Sequence, residues 1–155
     1  MTRFGVISDT HGRLRPEVFA HFDGVDRILH AGDIGDPDIL TELEAIAPVT
    51  AVSGNTDGPA IAARVPEVAL LDAEGRRIVV VHGHRLGSPT PELLSKEYPE
   101  ADIVVFGHTH VPTVRWIDDR LFLNPGAAGP ARFRLKPSIA LLRLEDRVHV
   151  EVIEV

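Results

Sequence analysis

The sequence predicts a mixed α/β domain, two packed sheets with helices outside, and three observations carry that prediction. Apolar runs alternate with helical patterns through the first sixty residues, which is the signature of βαβ units and of parallel strands. Beyond residue 110 only strand patterns remain, so further strands must enter the sheets without helices between them. Five apolar runs end in glycine-containing loops that carry oxygen or imidazole side chains. A chain of 155 residues suits one domain, read here as spanning 1–155.

Arg3 to Ser8 is a buried first strand, closed by the polar loop Ser8-Asp9-Thr10-His11-Gly12. Pro16 opens a helix reaching about Phe22, since proline is tolerated in a first turn. Val25 to His30 is the second strand and leads into Ala31-Gly32-Asp33. A helix follows Asp36-Pro37, with Ile39, Leu40, Leu43, Ile46 and Ala47 at helical spacing and Pro48 as its stop. Val49 to Ser53 forms the third strand, ending at Gly54-Asn55-Thr56-Asp57-Gly58.

Val68 to Leu71 and Arg77 to Val81 then read as an antiparallel hairpin running into His82-Gly83-His84. A helix from Pro91 to Tyr98 precedes the strand Asp102 to Phe106, behind which stands Gly107-His108-Thr109-His110. The remaining strands are Thr113 to Ile117, Leu121 to Leu123, Ser138 to Leu144 and Val148 to Val155.

Composition removes several classes of function. With no cysteine there are no disulfides, thiolate nucleophiles or cysteine-type zinc sites, so a metal must be held by nitrogen and oxygen. The net charge of −7 argues against non-specific nucleic-acid binding, which shows a basic footprint. No segment has the apolar length to span a bilayer, and the start lacks the apolar core and cleavage site of a signal peptide. A cytoplasmic location without membrane attachment is the expectation, and a homo-oligomer is left open.

Seven side chains end the five apolar runs: Asp9 and His11, Asp33, Asn55, His82, and His108 with His110. In open α/β sheets the carboxyl ends of strands border the ligand crevice, so residues distant in sequence converge there. Seven exceed the three protein ligands of a catalytic zinc site, and two ions share them naturally. If Asp33 bridges, one ion takes Asp9, His11 and His110, and the other takes Asn55, His82 and His108. Two ions about 3.5–4 Å apart can hold a hydroxide and clamp both oxygens of an in-line displacement at phosphorus. The donor set suits manganese, iron, nickel, zinc or magnesium, with manganese favoured.

Singly, several of these residues have plainer readings. Asp9 can be a turn former, and Asn55 sits in ordinary turn chemistry. His30, inside its apolar run, reads as a buried hydrogen-bonded residue, and His21 and His149 as surface residues. Arg132 and Arg134 read as solvated charge or as phosphate contacts, and Asn124 as a ligand-orienting residue or the start of the Pro125-Gly126 turn. No Walker-type or dinucleotide-binding glycine loop is present.

Asp9-x-His11, Gly32-Asp33, Gly54-Asn55, His82-Gly83 and Gly107-His108-Thr109-His110, in that order, resemble the five motifs of the calcineurin-like metallophosphoesterases. The length and Asn124-Pro125-Gly126 resemble the small bacterial and archaeal phosphodiesterase branch. The resemblance implies a four-layer α/β/β/α sandwich with two mixed β-sheets, a dinuclear centre, and hydrolysis of a phosphoester substrate by metal-bound hydroxide. Asn55 and, by its position past the Gly126 loop, Arg132 are the candidate substrate contacts. Many relatives carry histidine directly after the asparagine as a leaving-group acid, whereas this chain has Thr56. His84 or a metal-bound water is the candidate substitute, and good leaving groups such as aryl diesters should react best. Two alternatives accompany this reading: a non-catalytic protein-binding scaffold, as in a eukaryotic retromer subunit of the same fold, and a phosphomonoesterase or protein phosphatase.

Overall fold

In the computed structural model, residues 1–132 and 134–155 are described. The strands are β1 (Thr2–Ile7), β2 (Arg27–His30), β3 (Val49–Ala51), β4 (Val68–Ala73), β5 (Arg76–Val81), β6 (Ile103–Phe106), β7 (Thr113–Ile117), β8 (Arg120–Asn124), β9 (Ser138–Leu144) and β10 (Val148–Glu154). The helices are α1 (Glu17–His21), α2 (Pro37–Glu44), α3 (Pro59–Ala62) and α4 (Pro91–Glu97).

Two five-stranded mixed sheets result, ordered β10-β9-β1-β2-β3 and β4-β5-β6-β8-β7. Parallel pairing of β1, β2 and β3 matches the βαβ pattern. The hairpin of β9 and β10 returns to pair antiparallel with β1, setting Val6 opposite Ala140. In the second sheet β6 is parallel to both β5 and β8.

Alternation along the strands builds three apolar layers. Phe4, Val6, Leu29 and Ala140 of the first sheet meet Ile78, Val80, Ile103, Val105, Leu121 and Leu123 of the second. On the outer face of the first sheet, Ile7, Ile28 and Ile139 pack with Val18, Ile39, Leu40, Leu43 and Ile61 from α1, α2 and α3. Outside the second sheet, Val79, Val104 and Phe122 pack with Leu94 of α4. The order is therefore helix, sheet, sheet, helix, as the resemblance implies. Among the described residues no helix is long and apolar enough to cross a membrane.

Local chemistry sets the helix ends. Asp36 Oδ1 accepts the Asp38 N–H at 2.9 Å with Pro37 in the first turn, and Thr90 Oγ1 accepts the Leu93 N–H at 3.2 Å with Pro91 likewise placed. Some boundaries differ from the sequence reading. The α2 pattern extends to Ala47, but the helix ends at Glu44 and Ala45–Ala47 make a loosened last turn. The third strand stops at Ala51 because Ser53 donates to Pro66 O at 2.9 Å instead of continuing the ladder. Helix α3 and a short 3-10 turn at His84–Leu86 were not expected: each is only about one turn, too short for apolar periodicity to show.

Candidate metal centre

All seven predicted residues lie just past the carboxyl ends of β1, β2, β3, β5 and β6, on loops that the two sheets bring face to face. Donor atoms of Asp9, His11 and His110 form one group, and those of Asp9, Asp33 and His82 another. Asp9 Oδ1 stands 3.2 Å from His110 Nε2, 3.7 Å from His11 Nε2 and 3.9 Å from His82 Nε2. Asp33 Oδ2 is 3.2 Å from His82 Nε2 and 3.8 Å from His11 Nε2. Asn55 Oδ1 completes the far side, 3.1 Å from His82 Nε2 and 3.2 Å from His108 Nδ1.

The backbone is bent for this purpose. Asp9, His11, Asp33, His108 and His110 all have positive φ, between 46° and 72°. Only two other non-glycine residues among those described do so, Glu74 and Asp118, both at hairpin turns. That conformation is uncommon for side chains with a Cβ and persists only where surroundings enforce it. The enforcement is visible: Asp9 N–H donates to Gly32 O and His11 N–H to Asp33 O, both at 2.9 Å. At Gly107 the approach is so close that an added Cβ would lie 2.2 Å from Ser8 Oγ and 2.7 Å from Asp9 Oδ2.

Hydrogen bonds fix which atoms are free. Asp9 Oδ2 accepts from Ser8 Oγ at 2.6 Å and from the His108 N–H at 3.2 Å, while the buried Oδ1 has no hydrogen-bond partner. His82 Nδ1 faces Ala31 O at 2.8 Å and must donate to it, because a carbonyl only accepts. In a neutral ring, Nε2 of His82 then presents a lone pair to Asp33 Oδ2 and Asn55 Oδ1, so acceptor faces acceptor. A proton on Nε2 or a cation between the groups resolves this, and a backbone carbonyl behind a ligating imidazole is the usual support.

Ionisation follows the same geometry. Burial alone would raise the Asp9 carboxyl, but His11, His110, His82 and the Ser8 hydroxyl hold it well below the carboxylate range. Burial likewise opposes ionisation of Asp33, yet His82 and the Thr56 N–H bring it down to about 2. His82 moves upward: burial works against its charged form, but Asp33 and Asp9 outweigh it. His108 is lowered by burial and by His82.

Residues around the cluster sort the remaining expectations. His30 is fully buried, and burial lowers it to about 4. Its Nδ1 accepts the Gly32 N–H at 3.1 Å, so Nε2 carries the proton and donates to Thr10 Oγ1 at 3.0 Å, whose hydroxyl donates to Ile34 O at 2.8 Å. His30 thus ties the Asp9 loop to the Asp33 loop, and His21 and His149 are exposed. Asn124 starts the turn with Oδ1 accepting the Gly126 N–H, and its Nδ2 donates to Gly107 O and Thr109 Oγ1 on the loop that carries His108 and His110.

His84 lies beside the cluster, its ring 5.5 Å from that of His82 and 6.5 Å from that of His108, with a buried Nδ1 that has no partner. Burial and then His82 lower its pKa. Arg132 is exposed, and among the described residues no hydrogen bond or ion pair joins its side chain to the cluster. Its loop nevertheless abuts the site, with Ala128 N–H donating to Ser8 O and Gly129 N–H to Asp9 O. Ser8 and Asp57 were missed from sequence: the Ser8 hydroxyl bonds the neighbouring Asp9 carboxylate, and Asp57 takes two of its three amide partners from the loop after β2. A groove of about 370 Å³ lined by Arg3, His21, Arg143 and His149 lies toward the opposite end of β1 and contains none of the seven.

A family model described as the calcineurin-like phosphoesterase superfamily domain matches residues 2–147. A probable metallophosphoesterase from Methanothermobacter thermautotrophicus is 39% identical over 158 residues, covering 96% of this chain and 90% of the relative. A protein named as a phosphodiesterase from Methanocaldococcus jannaschii is 25% identical, covering 97% and 98% of the two chains. Among solved structures, Vps29 from Chaetomium thermophilum superposes with a TM-score of 0.84 at 22% identity, over 99% of this chain and 97% of that one. At that identity the last likeness is one of fold.

Proposed function

The chain belongs to the calcineurin-like phosphoesterase superfamily, and from that premise we propose that it is a phosphodiesterase working with two divalent ions. The observation that carries the proposal is the pair of unshared acceptors, Asp9 Oδ1 with no partner and His82 Nε2 aimed at carboxylate and amide oxygens. Asp9, His11 and His110 would hold one ion, and Asn55, His82 and His108 the other, with Asp33 shared between them. Manganese is the favoured occupant within a donor set that also suits iron, nickel, zinc and magnesium. When bound, such a pair supplies a hydroxide nucleophile from water at neutral pH and stabilises charge on phosphorus during in-line displacement.

The protein's own residues supply position and charge. Asp9 and Asp33 stay ionised across the neutral range, and their two negative charges favour dications over monocations. Asn55, exposed at the rim, keeps its amide N–H groups for a phosphoryl oxygen while its Oδ1 faces inward. Thr56 has no acidic proton near neutral pH, so a substrate whose leaving group needs little protonation is favoured, which points to activated or aryl diesters. His84 is the side chain we assign to any assistance of the leaving group, and a pH–rate profile unchanged in His84→Ala removes that role. The name of the archaeal relative supports diesters over monoesters.

The test is hydrolysis of bis-p-nitrophenyl phosphate and p-nitrophenyl phosphate by chelator-stripped protein, with manganese, nickel, zinc or magnesium added back and His108→Ala as control. Diester hydrolysis restored by metal and lost in the control is the expected result. A folded protein that binds no ion and cleaves neither ester would instead favour the protein-binding scaffold.

A further inference from the structure

Two neighbouring loops of the site are tied to each other by carboxylates acting in opposite directions. Asp33, after β2, accepts the Thr56 N–H at 3.0 Å from the loop after β3. In return Asp57 reaches back: its Oδ2 accepts the Ile34 N–H at 3.2 Å and the Gly54 N–H at 2.8 Å, and its Oδ1 accepts the Gly35 N–H at 3.0 Å. Asp57 itself belongs to neither group of converging donor atoms. Asn55 lies between the two anchored residues, Gly54 held by Asp57 and Thr56 held by Asp33. The loops touch so closely that a Cβ on Gly54 would lie 2.1 Å from Asp33 Oδ1.

We propose that Asp57 is a positioning residue that sets the spacing between Asp33 and Asn55 and, through it, the affinity of the second ion; this rests on the two-ion reading above. A carboxylate is the side chain the position requires. Three N–H donors converge on it, both oxygens accept, and charge-assisted bonds of this kind are the stronger ones. An amide of the same shape offers one accepting oxygen and turns an N–H group against the remaining donors. Asp57→Asn therefore releases at least one loop anchor while barely changing volume. Because the anchored amides belong to the residues directly after Asp33 and directly before Asn55, the loss is felt at the donor atoms. Residues that orient ligands in this indirect way typically change metal affinity by about 10–100-fold when replaced.

The experiment compares wild type, Asp57→Asn, Asp57→Glu and Thr90→Ala, the last removing the α4 helix cap, which accepts the Leu93 N–H, as a control for general destabilisation. Chelator-stripped protein is titrated with Mn2+ alone by calorimetry, and amide hydrogen exchange is followed in the same metal-free samples. Two ions in wild type and in Thr90→Ala, with the second weakened by about 10–100-fold in the Asp57 variants, is the expected result. Two ions held equally tightly in all four proteins would overturn the positioning role. Fewer than two ions in wild type would overturn the two-ion reading instead. Exchange then decides the role of Asp57 separately: faster exchange at Ile34, Gly35 and Gly54 in the Asp57 variants alone upholds the staple, and unchanged protection refutes it. If one Asp57 variant does not fold, the other carries the comparison.

Discussion

Thr56 donates its backbone N–H to Asp33 Oδ1 at 3.0 Å, which holds position 56 beside the carboxylate at the centre of the site while its side chain stays exposed. A histidine there would sit at the mouth of the site with the backbone bond intact. Thr56→His is expected to raise hydrolysis of alkyl phosphodiesters, whose leaving groups need a proton, by about 10²-fold or more. Aryl diesters should change little. Equal gains on both substrate types, measured as kcat/KM, would argue against leaving-group protonation as the missing element.

Asp9→Asn tests the unpartnered oxygen. The metal-free protein should fold as before, because the Ser8 and His108 bonds use the other oxygen. What disappears is the stabilisation by added Mn2+, which for wild type amounts to about 2.7 kcal/mol when the ion is at 100 times its Kd. Thermal melts with and without the ion read this directly, and a variant whose midpoint still rises would show that Asp9 is dispensable for binding.

Gly107→Ala forces a methyl group against Ser8 Oγ and Asp9 Oδ2 in a buried setting. Overpacking of this kind costs about 1–3 kcal/mol, and the displaced Asp9 should take diester hydrolysis with it. Urea unfolding measures the first effect, and an unperturbed midpoint would mean that the loop yields freely.

His30 gives the metal-free protein a distinct acid sensitivity. Its pKa is lowered by burial from 6.5 to about 4, so between those values the unfolded chain binds the extra proton. The associated stability is therefore complete above pH 6.5 and is lost as pH falls toward 4. That shift corresponds to about 3 kcal/mol. The difference in unfolding free energy between wild type and His30→Gln should grow with pH across this window and level off above it. A difference that does not vary with pH would remove His30 as the source.

Much of the site is legible in the chain because each strand end announces itself. Val105-Phe106 before Gly107-His108 and Ile28-Leu29 before Gly32-Asp33 show apolar strand and polar loop side by side, and the topology of α/β sheets makes such ends converge. What does not show is the set of contacts that hold the ends together. Asp57 looks like the last residue of an ordinary turn until its three amide partners are seen, two of them in the loop after β2. Asn124 could be read two ways from sequence, and its bonds run to both the Pro125-Gly126 turn and the loop of His108 and His110. Pairing is hidden for a related reason: β9 and β10 read clearly as strands, but that they complete the first sheet beside β1 depends on which edge is open in three dimensions. Short elements such as Pro59–Ala62, with Ile61 alone buried, are too brief for periodicity to reveal.

The pairing of β1 with β9 also orders events during synthesis. The strand that leads into Asp9 and His11 is made long before one of its two neighbours, which spans Ser138–Leu144. Until that segment emerges, β1 has an open edge, and Ser8 and Asp9 lack the amides of Ala128 and Gly129. Contacts of such sequence separation form late and slowly, and unpaired edges invite association with other chains. The nascent chain therefore carries Asp9 and His11 without the support of β9, Ala128 and Gly129 until those later residues have been made.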